Sequence, residues 1–238
     1  MSRPRELILP ITSVRRATPS TRYVRLALNG TKFAFQAGQA AMIGLAESDQ
    51  RVPYSIASAP EEAREQDAID FLIKIESSGR WGHKFDRLAR GQKVALKGPM
   101  GSFVLGPGAR RQALLFIAGG TGIAPVRAMI HDALRHTHRP INLIYSARTS
   151  DGFAYASELR GLARQSLIGM RLHVTREAPK RWLGERGRIT LAHIAPFVED
   201  RSTLCYVCGP AAMVEDMPLM LRRAGVPGRN ITLEQWGS

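Results

Sequence analysis

The chain has 238 residues, 44% of them hydrophobic and 23% charged, which is typical of a globular protein and excludes a disordered or collagen-like one. Its apolar runs are far shorter than the roughly 20 residues of a membrane-spanning helix. The first residues lack the apolar core of a secretion signal. We therefore expect a cytoplasmic protein that does not insert into a membrane.

The formal net charge is +14, and the 34 basic residues are scattered along the chain rather than gathered in blocks. Such a charge suits nucleic acid, a membrane surface or an acidic protein. Nucleic acid is the least favoured partner, because the basic residues are not interleaved with aromatic ones. Two interpretations remain, a general arginine bias and long-range attraction to an acidic partner or substrate.

The two cysteines, Cys205 and Cys208, form a C-x-x-C pair. Two cysteines exclude a disulfide framework and are too few for the four thiolates of an iron–sulfur cluster held by this chain alone. The C-x-x-C spacing also suits a redox disulfide or a zinc site. The segment around the pair, however, predicts a buried strand rather than a helix N-terminus that would activate a thiol.

Short strand-like segments fill the first part of the chain. Residues 22–28, 68–76 and 93–98 have β-strand patterns, and turn residues such as Asn29-Gly30 and Arg90-Gly91 separate them. This spacing predicts a small antiparallel barrel, with one short helix around residues 82–89.

The pattern changes at Gly106-Pro107-Gly108, which we interpret as a linker between domains of residues 1–107 and 108–238. Beyond it, apolar strands alternate with helical segments. The predicted strands are 113–118, 141–146, 171–175, 204–207 and 231–234, and the predicted helices are 125–138, 155–165 and 211–224. Such alternation predicts a parallel sheet with helices on both faces.

Two motifs of the barrel part have the chemistry of a ligand site. In residues 51–55, Tyr54 can lay its ring against a flat ligand while the Ser55 hydroxyl bonds a ring nitrogen, and Arg51 can pair with a phosphate. In residues 79–84, the backbone N–H groups of a helix start can hold a pyrophosphate. The alternatives are an ordinary turn with a buried tyrosine and a helix start that binds nothing.

Two further motifs each lie between a predicted strand and a predicted helix. Gly119-Gly120-Thr121-Gly122 has the context of a dinucleotide-binding loop, although its spacing differs from G-x-G-x-x-G. Cys208-Gly209-Pro210 places Cys208 at the carboxyl edge of the sheet, where ligands bind in open α/β folds. The alternatives are a tight turn and a buried, inert cysteine.

These four motifs, together with residues 98–103, stand in the order found in the ferredoxin–NADP reductase superfamily, which the chain resembles from residue 8 to Trp236. The resemblance implies a β plus α/β fold, in which an antiparallel six-stranded flavin-binding barrel precedes a parallel-sheet domain for a nicotinamide nucleotide. It also implies FAD as the cofactor and transfer of a hydride from NADPH to flavin N5.

By position, the resemblance implies that Tyr54 stacks on the flavin, that Ser55 bonds its N5 and that Arg51 neutralises its pyrophosphate. One residue more than in the family separates Arg51 from Tyr54. Gly82 stands where the pyrophosphate loop of the family has serine, so one hydroxyl contact is lost. The contacts implied for the flavin are Arg51, Tyr54, Ser55, Ile56, Gly79, Trp81, Gly82 and His83.

On the nucleotide side, the resemblance places Thr121 and Cys208 beside the nicotinamide, and it assigns catalytic roles to Ser55 and Cys208. Relatives often place a terminal aromatic over the flavin, for which Trp236 is the candidate, and packing on the sheet edge is its alternative role. The contacts implied for the nucleotide side are Gly120, Thr121, Gly122, Arg148, Thr175, Arg176, Cys208, Gly209, Pro210 and Trp236.

The choice between NADPH and NADH depends on charge near the end of the third parallel strand. Thr175-Arg176-Glu177 resembles the Ser-Arg-Glu segment with which family members hold a 2′-phosphate, and Arg148 and Arg181 add positive charge. We therefore expect NADPH, with NADH as the alternative because Glu177 adds a carboxylate.

The electron acceptor is expected to be a separate molecule, because the chain carries no cluster of its own. An acidic ferredoxin or flavodoxin fits the charge of +14. The alternatives are a reductase of free flavin or ferric complexes, and the electron-transfer subunit of an oxygenase or dehydrogenase complex.

Overall fold

The computed structural model describes residues 5–75, 88–177 and 179–236. These residues form two compact units. One contains the chain up to Val104 together with the segment Arg127–Asp132, and the other contains Leu105–Val126 and the chain from Ala133 onward. Each unit has its own sheet.

The first unit is built on a six-stranded antiparallel sheet with the strand order β4-β3-β6-β1-β2-β5. Its strands are β1 (Arg5–Thr18), β2 (Thr21–Ala27), β3 (Ala40–Leu45), β4 (Val52–Ser55), β5 (Ala68–Lys74) and β6 (Lys93–Met100). An isolated antiparallel bridge between Ile56 and Phe71 joins the two edge strands, so the sheet closes on itself. The predicted antiparallel barrel is confirmed.

Strand β1 can serve two neighbours because it is 14 residues long. Its first part pairs with β6 and its second part, from Ile11 onward, pairs with β2. Alternating apolar residues point into the barrel, where Val24 of β2 lies opposite Phe71 of β5 and both are buried. The core therefore follows the period-two pattern of the sequence.

A short helix that the sequence pattern did not predict, α1 (Pro60–Glu65), follows β4. Pro60 occupies its first turn, where a missing N–H costs nothing. The Glu62 carboxylate accepts the Ala59 N–H at 2.9 Å and caps the helix start. The helix predicted around residues 82–89 lies largely outside the described residues.

The second unit contains a six-stranded parallel sheet with the order β10-β9-β8-β7-β11-β12. Its strands are β7 (Leu114–Gly119), β8 (Ile141–Thr149), β9 (Gly169–Glu177), β10 (Glu185–Arg186), β11 (Leu204–Gly209) and β12 (Ile231–Gln235). The predicted parallel sheet is confirmed. Because β7 and β11 are neighbours, the loops that follow them leave the same edge of the sheet.

Helices connect these strands, as the alternating pattern predicted. They are α2 (Ile123–His136), α3 (Ala156–Arg164), α4 (Leu191–Ile194) and α5 (Ala211–Arg223). Within the described ranges, none of the helices combines the length and the apolar character needed to cross a membrane.

Candidate active site

The first unit presents Tyr54 and Ser55 at the end of β4. Pairing with β3 sets Tyr54 opposite Ala41 and Ser55 opposite Ala40. Alternation along the strand then leaves the Tyr54 ring half-buried while Ser55 is only 7% exposed. A partly exposed aromatic ring and a hydroxyl therefore follow one another along the end of β4, on its two faces.

The Ser55 hydroxyl is the feature of this edge that fits a flavin. Although Ser55 is buried, its Oγ makes no hydrogen bond to any of the residues that the structure describes. Because the Oγ is not one of the buried side-chain atoms that lack a partner, it is open to its surroundings and has capacity for a ligand atom that can donate or accept. A flavin ring nitrogen provides such an atom, and the neighbouring Tyr54 ring suits its flat face.

Two other predicted flavin residues are committed to the protein itself. The Arg51 guanidinium donates to the carbonyl oxygens of Ser48 and of Gln50, the latter at 3.0 Å, and lies 3.7 Å from the Glu6 carboxylate. The Ile56 side chain is fully buried in the barrel core, and its N–H donates to the Gln39 carbonyl at 2.9 Å. A pyrophosphate contact by Arg51 would require it to leave this loop, and Ile56 offers a ligand neither its side chain nor its N–H.

The predicted pyrophosphate loop, with Gly79, Trp81, Gly82 and His83, lies outside the described residues. The flavin contacts of these four residues stay a prediction.

The dinucleotide loop of the second unit is a tight turn at Gly120–Gly122 between β7 and α2. A Cβ on Gly122 would lie 2.2 Å from the Cys208 carbonyl oxygen, so only glycine lets the loop approach β11 this closely. Gly120 has a φ of +55°, and a Cβ there would meet no atom within 4 Å. The loop thus rests on β11 through Gly122 and leaves open space beside Gly120, where a nucleotide can approach the backbone.

Tyr145 holds this loop in place, a role that sequence analysis missed. Its hydroxyl donates to the Gly120 carbonyl at 3.2 Å and accepts the Ala154 N–H at 3.1 Å. The ring packs edge-on against Phe153, with ring centres 5.0 Å apart. Only its place in an apolar strand could have signalled it, because its polar partner Gly120 is 25 residues away.

Cys208 ends up in a small polar cluster with Glu234 and Trp236. Its Sγ lies 3.8 Å from Glu234 Oε2, and the same oxygen accepts the Trp236 indole N–H at 2.6 Å. Burial, together with the Glu234 carboxylate, raises the pKa of the Cys208 thiol well above its ordinary value, so it stays protonated at neutral pH. Burial also raises the pKa of Glu234.

The backbone fixes this cluster. Cys208 and Glu234 are direct partners in the β11–β12 pairing, and the Trp236 N–H donates to the Gly209 carbonyl at 3.1 Å. Pro210 then begins the turn into α5. Glu234 was missed as a site residue, and its register opposite Cys208 could not be derived from the sequence pattern alone.

Exposed cationic side chains flank the carboxyl ends of β8 and β9. These strands pair in register at Ala147 and Val174, which brings Arg148 and Arg176 to one edge of the sheet. Both are exposed, and neither has an acidic partner among the residues the structure describes. The Thr175 hydroxyl lies 3.4 Å from the Ala147 carbonyl. This set of donors suits a phosphate group.

Two family models match this chain. The oxidoreductase FAD-binding domain matches residues 9–105, and the oxidoreductase NAD-binding domain matches residues 116–218. The chain is 28% identical to ferredoxin–NADP reductase B of Sorangium cellulosum, over 95% of this chain and 96% of that protein. It is also 28% identical to the reductase component of propane 2-monooxygenase from Mycolicibacterium smegmatis, over 95% of this chain and 67% of that protein.

A solved structure with the same fold is the Amycolatopsis cytochrome P450 reductase GcoB. The TM-score is 0.85 at 27% identity, over 98% of this chain and 70% of that one.

Proposed function

We propose a function for this chain from its family, because it belongs to the ferredoxin–NADP reductase-like superfamily of FAD- and NAD(P)-binding oxidoreductases. The proposed activity is the oxidation of NADPH through bound FAD, with delivery of single electrons to a separate acidic protein such as a ferredoxin or flavodoxin. The cytoplasmic location expected from the sequence stays a prediction.

The observation that carries the proposal is the accessible Ser55 hydroxyl, which has no partner among the described residues, next along β4 to the half-buried Tyr54 and within the matched FAD-binding domain. When bound, FAD accepts a hydride and releases electrons one at a time. Ser55 supplies the hydrogen bond that orients the reacting ring nitrogen, and Tyr54 supplies a surface for the ring. Burial raises the pKa of the Cys208 thiol, so this residue is neutral on the proposed nucleotide side.

NADPH is the proposed donor because Arg148 and Arg176 face solvent without an acidic partner among the described residues. A 2′-phosphate gains charge-assisted hydrogen bonds from such groups, whereas a free 2′-hydroxyl gains little. The glycine turn at Gly120–Gly122 leaves room for the rest of the dinucleotide.

A second candidate is the reductase of an oxygenase system. It is favoured by the similarity to the reductase component of propane 2-monooxygenase over 95% of this chain. The chemistry at Ser55 would be the same, and the identity of the acceptor protein would differ.

Steady-state oxidation of NADPH and NADH with three acceptors tests the proposal: an acidic ferredoxin, free FAD and a small quinone. The chain is first loaded with FAD and passed through gel filtration. We expect FAD to stay bound, NADPH to be preferred and the ferredoxin to be reduced. Reduction of free FAD alone, by a chain that loses its flavin on the column, would instead identify a reductase of free flavin.

A further inference from the structure

A buried ion pair in the first unit joins α2 to α1. Arg127 is 9% exposed, and its guanidinium contacts both oxygens of Glu62 at 2.9 and 3.0 Å. The same guanidinium donates to the Ala57 carbonyl at 2.8 Å. His131, one turn further along α2, lies 3.7 Å from the Glu62 carboxylate. The Arg127 guanidinium therefore binds two groups that follow β4, the Glu62 carboxylate and the Ala57 carbonyl.

The other contacts of this stretch include backbone N–H groups and the Ser58 hydroxyl, which accepts the Asp70 N–H at 2.8 Å. The N–H of Ile56 donates to Gln39, that of Ala57 donates to Asp70 at 2.8 Å, and that of Ala59 donates to Glu62. Arg127 supplies the side-chain donor for the Ala57 carbonyl, two residues after Ser55. The Arg127 guanidinium is thus one of several groups that fix the course of the chain leaving Ser55, and it is the one that binds the Ala57 carbonyl.

Stability alone gives little reason for this arrangement. Removing two charges from water is costly, and a well-packed apolar pair is often as stable as a buried ion pair. The planar guanidinium does fix orientation, because it holds a carboxylate and a carbonyl at fixed angles.

We propose that Arg127 is a positioning residue, which fixes the Ala57 carbonyl and thereby the orientation of Ser55. The inference rests on the function proposed above, because it assumes that Ser55 contacts the flavin. Arg127 itself touches neither flavin nor nucleotide in this role. Its loss therefore slows flavin reduction while the affinity for NADPH stays unchanged.

Three variants separate positioning from folding. The double variant Arg127→Met/Glu62→Gln removes both charges, and the glutamine oxygen still accepts the Ala59 N–H. Arg127→Lys keeps the charge but not the planar guanidinium. Arg64→Met is the control, because it removes another ion pair of α1, to Glu61 at 2.6 Å, and leaves the contacts of residues 55–59 intact.

Two measurements are made on each variant. Hydrogen exchange of the amides of residues 55–59 in the FAD-free chain reports on the segment itself. Stopped-flow reduction of the FAD-loaded chain at saturating NADPH reports on positioning. We expect about tenfold faster exchange and about tenfold slower reduction in the double variant, with bound FAD and the Kd for NADPH unchanged. Arg127→Lys should be intermediate, and Arg64→Met should match the wild type.

If the amides of residues 55–59 exchange as slowly in the double variant as in the wild type, the proposal is overturned. This result does not depend on flavin binding, because it is measured on the FAD-free chain. Fast exchange with a wild-type reduction rate, or the same slowing in Arg64→Met, would also overturn it. Loss of FAD from the double variant would assign Arg127 a structural role only. If the double variant does not fold, Arg127→Lys decides by the same two measurements. A wild-type chain that binds no FAD would reject the proposed function, while the exchange data would still show whether Arg127 holds the segment.

Discussion

Ser55 and Thr18 are two buried hydroxyl residues of the barrel with opposite surroundings. The Thr18 hydroxyl is hydrogen-bonded to that of Thr21 at 2.7 Å, whereas the Ser55 hydroxyl has no partner among the described residues. The difference separates a hydroxyl that stabilises the fold from one that is free for a ligand.

Replacing Ser55 by alanine should therefore slow flavin reduction by roughly one to two orders of magnitude and leave FAD bound, because a single orienting contact is lost. Stopped-flow reduction by NADPH measures this rate. The control, Thr18→Ala, should lose about 1 kcal/mol of stability and keep the wild-type rate. A wild-type rate in Ser55→Ala would remove Ser55 from the reaction.

Arg176 gives a second prediction at the level of one side chain. Arg176→Ala should raise the KM for NADPH about tenfold and leave the KM for NADH nearly unchanged, because only the former carries a 2′-phosphate. Arg164→Ala, an exposed arginine at the end of α3, is the matched control and should change neither KM. Equal increases for the two nucleotides would show that Arg176 does not select the phosphate.

The sequence predicted candidate site residues that lie in local motifs and gave no signal for residues whose contacts lie across the fold. Tyr54, Ser55, Gly122 and Cys208 are recognisable because each sits beside a turn or between a strand and a helix. Arg127 was missed because its partner Glu62 is 65 residues away, and only the folded chain brings the two together.

Most of the predicted strands and helices correspond to elements of the structure, but neither the longest strand, β1, nor the shortest elements were predicted. The helical pattern at residues 125–138 corresponds to α2, since its apolar face follows the 3.6-residue period. In contrast, β10 has two residues and α4 has four, too few for any period to show. Their positions depend on pairing with β9 and on packing, which are not local properties.

The glycine turn before α2 predicts a sharp difference between two substitutions. Gly122→Ala should destabilise the second unit by roughly 2–4 kcal/mol, because its Cβ would meet the Cys208 backbone, which cannot move aside. Gly161→Ala in α3 meets no atom within 4 Å and should stabilise by roughly 0.5–1 kcal/mol. Calorimetric melting measures both. Equal melting temperatures would contradict the close approach of the loop to β11.

Strand β9 carries a histidine that should make the stability of the second unit depend on pH. His173 is fully buried, and neither ring nitrogen makes a hydrogen bond to the described residues. Burial chiefly, and then the neighbouring His193, lower its pKa to about 4, although Glu185 of β10 opposes this and Arg171 of β9 adds to it. The folded state thus binds fewer protons than the unfolded state, in which the pKa is ordinary, at about 6.5.

The free energy of unfolding therefore contains the full contribution of neutral His173 above about pH 6.5. This contribution is lost as the pH falls toward 4, by up to about 1.4 kcal/mol per pH unit. Urea unfolding at several pH values should show a shallower dependence in His173→Leu. The exposed His138, replaced by asparagine, serves as control and should keep the wild-type slope. Identical slopes in wild type and His173→Leu would mean that His173 is not neutral in the folded protein.

For the whole molecule, the net charge of +14 predicts that long-range electrostatic attraction brings an acidic acceptor to the protein. The kcat/KM for an acidic ferredoxin should fall about tenfold between roughly 20 and 300 mM salt, because screening removes long-range attraction. Reduction of a neutral quinone should change little over the same range. A salt-independent rate with ferredoxin would assign the basic excess to composition rather than to partner recognition.

At this scale the architecture could be predicted from the sequence. The first half has strand patterns only, whereas the second half alternates strand and helix patterns, with the glycine-rich loop between a strand and a helix. It was not sufficient for the barrel register, where β1 divides between β2 and β6 and Ile56 bridges to Phe71. Pairings between distant segments depend on side-chain packing that no local pattern encodes.

The central claim is that the chain holds FAD and reduces it with NADPH, and an anaerobic titration followed by visible absorbance tests it most directly. A chain loaded with FAD and freed of unbound flavin should keep a flavin spectrum and lose its colour as about one equivalent of NADPH is added. A chain that emerges colourless from gel filtration, or whose flavin keeps its colour under excess NADPH, would contradict the account.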